Sequence, residues 1–334
     1  MRGAPPFAPQ PGSPIAWPDA FGTRFAVFVD TEEEFDWRAP FSRDGHGVSA
    51  VAAIPAAHAR FADRRIPIVY LADYPVVCDE RAVDVLRGVM ADGQSEVGTQ
   101  LHAWVNPPFE EALSPRNSYV GNLAEGLEAA KIDALTARIT NAFGKRPRVY
   151  RAGRYGIGPA TLRLLATRGY QLDSSMRARY DYRQDGGPDF AAIGNAAFRC
   201  GPDGALIELP LTTVYTGRLR RLGEPLFRLL RRVPKGRAVA ARSGLISRVS
   251  LTPEGMPIAD ALEAVRIAIG EGERVLNFAF HSPSLVPGNT PYVRDARDLA
   301  AFHGWWDQVL ALLEARGARP VTIDALLDAA RGSP

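Results

Sequence analysis

Residues 25–37 read FAVFVDTEEEFDW, and the fold is inferred from this stretch outward. The apolar run ends abruptly at Asp30, and four further acids follow within one short loop: Glu32, Glu33, Glu34 and Asp36. An unbroken apolar run is typical of a strand that is buried on both faces, as in α/β proteins. Ligands of such proteins bind at the carboxyl ends of the strands, so Asp30 and Glu32 are candidate site residues. The alternative is a solvated acidic loop, and we expect this state for Glu33 and Glu34.

Strand-like and helix-like segments alternate along most of the chain. Apolar runs predict strands at 24–30, 66–71, 95–102, 148–152, 170–174, 207–210, 275–281 and 320–323. Helical periodicity predicts helices at 49–63, 79–90, 122–143, 159–168, 257–270, 295–316 and 324–331. This alternation is typical of parallel βαβ units, and hence of an open doubly wound sheet or a closed barrel.

Composition excludes several classes of protein. The chain has 334 residues and a formal net charge of +3, too small by itself to indicate nucleic-acid binding. Cys78 and Cys200 have no C-x-x-C spacing, which argues against a disulfide framework or a thiolate zinc site.

We expect residues 1–20 to be a flexible segment without a signal peptide, and 21–334 to form a single domain. No stretch is long enough to span a bilayer, so the expected location is the cytoplasm.

Residues 216–248 interrupt the regular pattern. They contain ten lysines and arginines but one acid, Glu224, so their net charge is +9. Leucine, phenylalanine and arginine recur at helical spacing, which suits a lid, a membrane-surface helix or contact with an anionic substrate. The alternative is a basic helix that packs on the domain through its leucines.

Polar side chains stand at the ends of several predicted strands. Besides the two acids of the first strand, they are His102, Arg151, Asp173 and His281. In a barrel these strand ends meet around one mouth, although each residue alone has an ordinary structural explanation. A period of two places Gln100 and His102 on one face of their strand.

Five motifs in order resemble the polysaccharide deacetylase family, also called carbohydrate esterase family four, and within it the WalW-like branch of lipopolysaccharide-associated members. The motifs are VDTEEEFDW at 29–37, EVGTQLHAWVNPP at 96–108, YRAGRYG at 150–156, LDSSM at 172–176 and FHSPS at 280–284. The resemblance implies a distorted (β/α) barrel of about seven parallel strands. It also implies removal of acetyl from an N-acetylated sugar, with a divalent metal, usually zinc, holding the attacking water.

The resemblance also implies roles for individual residues. Asp30 matches the general base and Arg151 the residue that orients it. Asp173 matches an acid that supports His281, and His281 matches the general acid that protonates the leaving amine.

The chain departs from the family pattern at the metal ligands. Thr31 stands where a second aspartate is usual, and His102 lacks the usual second histidine. We therefore expect Glu32 and His102 to hold the metal, with help from Asp30 or Asp36 left open. The expected substrate-binding residues are Trp37, Gln100, Trp104 and Tyr155.

Four functions follow from these patterns. The first is a metal-assisted deacetylase of an N-acetylated sugar or glycan, anionic or lipid-linked, in surface polysaccharide or lipopolysaccharide metabolism. The second is a metal-independent hydrolase of a non-peptide C–N bond in a small amide, and the third is a glycan-binding pseudoenzyme. A glycoside hydrolase is disfavoured, because its carboxylates must flank the scissile bond whereas Asp30 and Glu32 share one loop. A homo-oligomer is left open.

Overall fold

A computed structural model describes Phe7 and residues 13–36 and 39–332 of the chain. Its strands are β1 (Arg24–Thr31), β2 (Ile68–Ala72), β3 (Glu96–Leu101), β4 (Val149–Ala152), β5 (Leu172–Asp173), β6 (Phe198–Cys200), β7 (Leu206–Glu208), β8 (Thr213–Thr216), β9 (Ser247–Ser250), β10 (Val275–His281) and β11 (Arg319–Pro320). Its helices are α1 (Ile54–Ala62), α2 (Tyr74–Cys78), α3 (Glu80–Val89), α4 (Glu125–Phe143), α5 (Thr161–Thr167), α6 (Gly223–Arg231), α7 (Gly236–Arg242), α8 (Ile258–Gly270), α9 (Ala296–Ala315) and α10 (Ile323–Arg331).

The main sheet has the strand order β10-β1-β2-β3-β4-β5-β7-β6, and β11 pairs with β1. Every pairing from β10 to β7 along this path is parallel, whereas β6 runs antiparallel to β7. The sheet curls into a half-barrel within one α/β domain, so the predicted fold class is confirmed. A separate antiparallel pair, β8 and β9, leads into and out of α6 and α7.

Strand β1 lies inside the sheet and is covered on both faces. Phe25, Val27 and Val29 belong to one hydrophobic cluster, which the helices around the sheet complete. Ala26 and Phe28 alternate with them and belong to a second cluster inside the curl. This alternation follows from the two-residue period of a strand, and it explains why the stretch is apolar throughout.

Some predicted elements differ from the observed ones at their ends. The predicted helix 49–63 divides into a 3₁₀ turn, Ser49–Ala53, and α1, which has Pro55 in its first turn. Proline favours the start of a helix because it has no N–H to donate. Strand β5 keeps two residues of the five predicted. The sequence did not predict β6, β8, β9 or α2, because elements of three to five residues are too short to show a period.

Part of the predicted flexible segment 1–20 lies outside the described residues, namely 1–6 and 8–12. In the described part, the Ile15 amide donates to the Ala197 carbonyl at 2.9 Å, and the Trp17 ring stacks on Phe21.

None of the helices in the described ranges combines the length and apolar character that crossing a lipid bilayer requires.

Candidate active site

The site is built on the neighbouring strands β1 and β10, whose parallel register places Asp30 beside His281. Both residues stand at the carboxyl ends of their strands. One carboxylate oxygen of Asp30, Oδ1, lies 2.6 Å from Arg151 Nη1. The other, Oδ2, lies 3.6 Å from His281 Nε2. Asp30 is thus paired with a buried cation on one side and faces an imidazole on the other.

Arg151 is fixed by hydrogen bonds to the chain segment that directly follows the neighbouring strand, β5. Its Nε donates to the Ser174 carbonyl and its Nη2 donates to Ser174 Oγ, both at 2.9 Å. Asn277 Nδ2 also donates to Ser174 Oγ at 2.9 Å. These bonds fix the plane of the guanidinium and, through it, the orientation of the Asp30 carboxylate. That Asp30 acts as a general base stays a prediction.

Glu254 supports His281, although no sequence pattern singled it out. His281 Nδ1 lies 2.6 Å from Glu254 Oε2, and the His281 backbone amide donates to Oε1 at 3.1 Å. Burial by itself would lower the pKa of His281, but the neighbouring carboxylates, Glu254 foremost, raise it to about 10. His281 therefore keeps its proton at neutral pH, as a general acid must.

Asp173 does not occupy the supporting position that the resemblance implies. It is fully buried in β5, and its Oδ1 accepts a hydrogen bond from Ser175 Oγ. Burial raises its pKa to about 6, and Glu208 lies beside it. We correct the prediction accordingly: the carboxylate on His281 Nδ1 belongs to Glu254. Asp173 belongs instead to a buried acidic pair below Arg151.

Glu32, Gln100 and His102 converge beside the Asp30–His281 pair. His102 Nε2 lies 3.4 Å from Glu32 Oε2, and Gln100 Nε2 lies 3.2 Å from the same oxygen. Burial raises the pKa of Glu32 to about 8, although the nearby histidines oppose this. Gln100 Nε2 also lies 3.3 Å from His102 Nε2, so the predicted shared face of the two side chains is confirmed.

Glu33 corrects a second prediction, because it is fully buried rather than solvated. Its Oε2 lies 2.7 Å from His102 Nδ1, and its Oε1 accepts from Trp104 Nε1 at 2.8 Å. Its backbone amide donates to Asp73 Oδ2 at 2.7 Å. Because Glu33 accepts a hydrogen bond from Nδ1–H, the proton of the neutral His102 ring is on Nδ1 and the lone pair of Nε2 faces Glu32. Metal-ligating histidines commonly have this tautomer.

The donor set fits a divalent cation at Glu32 and His102. Gln100 Oε1 is buried without a hydrogen-bond partner among the described residues, while its Nε2 points at two acceptors. The Glu32 carboxylate and the His102 Nε2 lone pair face each other in a buried site and require a cation or a proton between them. Zinc accepts such mixed oxygen and nitrogen ligands.

A second cation arrangement shares His102. Single ligand atoms of Glu33, Asp73 and His102 lie within 4.8 Å of one another and could hold a metal ion. Burial raises the pKa of Glu33 to about 7 and that of Asp73 well above its usual value. These carboxylates already accept hydrogen bonds from Trp104 and from backbone amides. The structure thus offers two candidate cation positions, one on each side of the His102 ring.

A pocket of about 310 Å³ opens above these residues. The predicted site residues that line it are Asp30, Glu32, Gln100, His102, Trp104, Arg151, Tyr155 and His281. The Trp104 ring stacks on His102, with centroids 4.3 Å apart, so one of its faces is already occupied. Trp37, the remaining predicted substrate-binding residue, lies outside the described residues.

The sequence analysis missed two buried acids, Glu254 and Asp73. Asp73 directly follows β2, so the criterion applied to the other strands would have found it. Glu254 lies in a loop after β9 and carries no such signal.

No protein-family model and no curated protein sequence matches this chain. A solved structure of a candidate polysaccharide deacetylase from Mycobacterium smegmatis is similar over 97% of this chain and 95% of its own, with a TM-score of 0.54 and 16% identity. Puue allantoinase is similar over 99% of this chain and 93% of its own, with a TM-score of 0.50 and 16% identity. These similarities show a shared fold. Assignment to the WalW-like branch stays a prediction.

Proposed function

We propose that this protein is a hydrolase that removes an acyl group, in the first instance acetyl, from the nitrogen of an N-acetylated sugar or sugar conjugate. The observation that carries the proposal is the pair of Asp30 and His281, 3.6 Å apart at one pocket. Each member has its own buried partner of opposite charge, Arg151 and Glu254 respectively. The fold shared with a candidate polysaccharide deacetylase is consistent with this chemistry.

Amide hydrolysis needs a base for the attacking water and an acid for the leaving nitrogen. Asp30 accepts the proton of the water, and Arg151 holds the carboxylate in the orientation to do so. His281, protonated at neutral pH, donates a proton from Nε2 to the departing amine. A divalent ion such as zinc, bound by Glu32 and His102 and assisted by Gln100, would polarise the carbonyl and acidify the water.

Two arginines of the pocket favour a substrate with an anionic group. Arg154 and Arg177 line the pocket, and neither forms an ion pair within the described ranges. The guanidinium carbon of Arg177 lies 3.9 Å from the Tyr180 ring centroid, and that of Arg154 lies 4.1 Å from the Tyr119 centroid. Arg154 Nη1 donates to Ser118 Oγ, and Arg177 Nε donates to Ser250 Oγ at 3.0 Å. The remaining N–H groups of the two guanidiniums suit a carboxylate or phosphate. The proposed substrate is therefore a sugar with an acid group, such as an N-acetylated uronic acid or a sugar phosphate.

The cellular setting belongs to the same proposal. The resemblance of the five motifs supports a role in surface polysaccharide or lipopolysaccharide metabolism, and we place this role in the cytoplasm as part of the proposal. An anionic, lipid-linked sugar would be a substrate consistent with that role.

A second candidate is a metal-independent hydrolase of a C–N bond in a small amide. The observation that favours it is Glu32, which burial keeps protonated at neutral pH when no cation is near. A proton then occupies the position that a cation would take between Glu32 and His102. The similarity in fold to Puue allantoinase agrees with this alternative.

The test combines metal content with turnover. We expect wild-type protein, purified without chelator, to hold a near-stoichiometric divalent ion and to release acetate from N-acetylated sugars, faster from carboxylated than from neutral ones. Asp30→Asn should keep the ion and lose about 10²- to 10⁴-fold in kcat, since it removes the base alone. His102→Ala should lose both the ion and turnover.

The matched control is His303→Ala, which removes a partly exposed histidine on α9. It should leave metal content and turnover unchanged. Turnover that survives in metal-free protein and in His102→Ala would favour the metal-independent hydrolase. Saturable glycan binding that Asp30→Asn preserves, with no turnover in any protein, would identify a binding protein instead.

A further inference from the structure

The basic segment 216–248 forms a small unit on the side of the half-barrel. It contains α6 and α7, joined to the domain through β8 and β9. Its ten basic residues and one acid give it a net charge of +9, whereas the whole chain has +3. The positive charge of the protein is therefore concentrated on this unit.

The inner faces of α6 and α7 already have a hydrophobic core of their own. Phe227 and Ala240 pack with Tyr215 and Ile246, all of them buried. The guanidinium carbon of Arg237 lies 4.1 Å from the Phe227 ring centroid and closes this core on one side. The exposed apolar side chains of the unit are thus not part of the core that holds it together.

The surface of this unit carries an unusual number of exposed apolar side chains. Among the residues that the structure describes, nine large apolar side chains are exposed, and six of them belong to this unit. The six are Leu219, Leu222, Leu229, Val233, Val239 and Leu245. Val239 is 62% and Leu229 55% exposed. Apolar side chains exposed in this number on one small unit are typical of an interaction site.

The same unit exposes basic side chains that have no acidic partners among the described residues. Arg221, Arg232 and Lys235 are exposed, and none forms an ion pair within the described part of the chain. By contrast, Arg228 pairs with Glu224 and Arg231 with Asp181. A surface that is both cationic and apolar complements an anionic lipid bilayer, where lysine and arginine meet the headgroups and leucine enters the acyl boundary. Nucleic acid would satisfy the charge but not the leucines.

We infer that residues 216–248 dock the protein on the surface of an anionic membrane. The docked unit adjoins the pocket: the Arg248 guanidinium carbon lies 3.5 Å from the Tyr180 ring centroid, and Tyr180 stacks on Tyr182, which lines the pocket. Docking would hold the pocket near the headgroups. The inference does not depend on which reaction the pocket performs.

The test is co-sedimentation with vesicles of phosphatidylcholine alone and of phosphatidylcholine mixed with phosphatidylglycerol. We expect binding to the mixed vesicles only, weakening as salt rises. The triple variant Leu222→Ser, Leu229→Ser and Val239→Ser should bind at least tenfold more weakly, because it removes the inserted side chains. The triple variant Arg221→Gln, Arg232→Gln and Lys235→Gln should lose the preference for anionic lipid.

Leu113→Ser is the matched control, since Leu113 is 40% exposed but lies outside the unit. It should bind as wild type does, and circular dichroism should show that every variant is folded. Absence of sedimentation with mixed vesicles would overturn the inference. So would unchanged binding by the serine variant, tighter binding to an RNA oligonucleotide than to vesicles, or a dimer that the serine variant abolishes.

Discussion

Glu254 determines the protonation state of His281. The two side chains are 2.6 Å apart; Glu254 is buried, whereas the His281 side chain is 21% exposed toward the pocket. Burial would raise the pKa of Glu254, but His281 lowers it below its usual value. The hydroxyl of Ser284 donates to the same carboxylate and fixes its orientation. His281 can therefore serve as an acid at a pH where a free histidine would be neutral.

We predict that Glu254→Gln moves the alkaline limb of the pH profile of kcat/KM toward neutral pH. The amide keeps the size of the side chain and removes its charge, so the pKa of His281 falls from about 10 toward its ordinary value. Less of the acid is then protonated, and turnover at pH 8 should fall by about 10- to 100-fold. The measurement is kcat/KM between pH 6 and pH 11 (roughly the window of the two pKa values).

Glu271→Gln is the control for this prediction, because Glu271 is exposed at the end of α8. An alkaline limb that stays in place in Glu254→Gln would show that Glu254 does not set the pKa of His281.

At the scale of elements, α4 is attached to α5 through a buried acid. Glu128 is 1% exposed, and its Oε1 accepts a hydrogen bond from Thr161 Oγ1 at the start of α5. Thr161 Oγ1 in turn accepts from the Gly158 amide at 2.8 Å. Burial raises the pKa of Glu128 to about 7. The folded protein therefore holds a proton here that the unfolded chain releases near pH 4.5.

We predict that Glu128→Gln makes the free energy of unfolding less dependent on pH. In the wild type, Glu128 makes its full contribution to the free energy of unfolding below its pKa in the unfolded chain. This contribution is lost as pH rises from about 4.5 to about 7. Glutamine cannot ionise, so the variant does not show this loss. Between pH 4 and pH 8, the free energy of unfolding of the wild type should therefore fall by up to about 3 kcal/mol more than that of the variant. Urea unfolding at the two values measures the difference.

The control is Glu314→Gln, because Glu314 lies exposed near the end of α9, away from Glu128. It should preserve the wild-type slope of stability against pH. A slope that is equally steep in Glu128→Gln would mean that Glu128 is ionised in the folded protein.

At the scale of the whole molecule, the unit of α6 and α7 is separable from the half-barrel. Its small core, described above, is distinct from the two clusters that cover the main sheet. It begins and ends at a strand pair, where Thr216 faces Ser247. An antiparallel pair can be closed by a two-residue turn.

We predict that replacing residues 217–246 by Asn-Gly leaves the half-barrel folded. Asn-Gly is the favoured sequence of a two-residue hairpin turn, so β8 and β9 should still pair. We expect helical circular dichroism reduced in proportion to the lost helices, a cooperative thermal transition, and acetate release retained. Vesicle binding should disappear. Loss of the thermal transition would show instead that α6 and α7 are needed for folding.

Much of the fold follows from local pattern. The unbroken apolar run before Asp30 determines that β1 is buried on both faces, and parallel strands place Asp30 and His281 at the same edge of the sheet. That β10 pairs with β1 is decided by the tertiary structure. The two-residue period likewise determines that Gln100 and His102 share a face. Each of these relations depends on spacing along one strand or on the direction of neighbouring strands, and both can be read from a sequence.

Only the tertiary structure determines which buried acid pairs with which partner. Glu254 meets His281 across 27 positions of chain, and Asp73 meets Glu33 across 40. Asp173, which the motifs assigned to His281, lies instead beside Glu208. Glu33 was expected in solvent, yet Trp104 and His102 bury it. The charge and period of a segment determine how it folds locally, whereas the contacts of a buried charge depend on how distant segments pack, which no local pattern encodes.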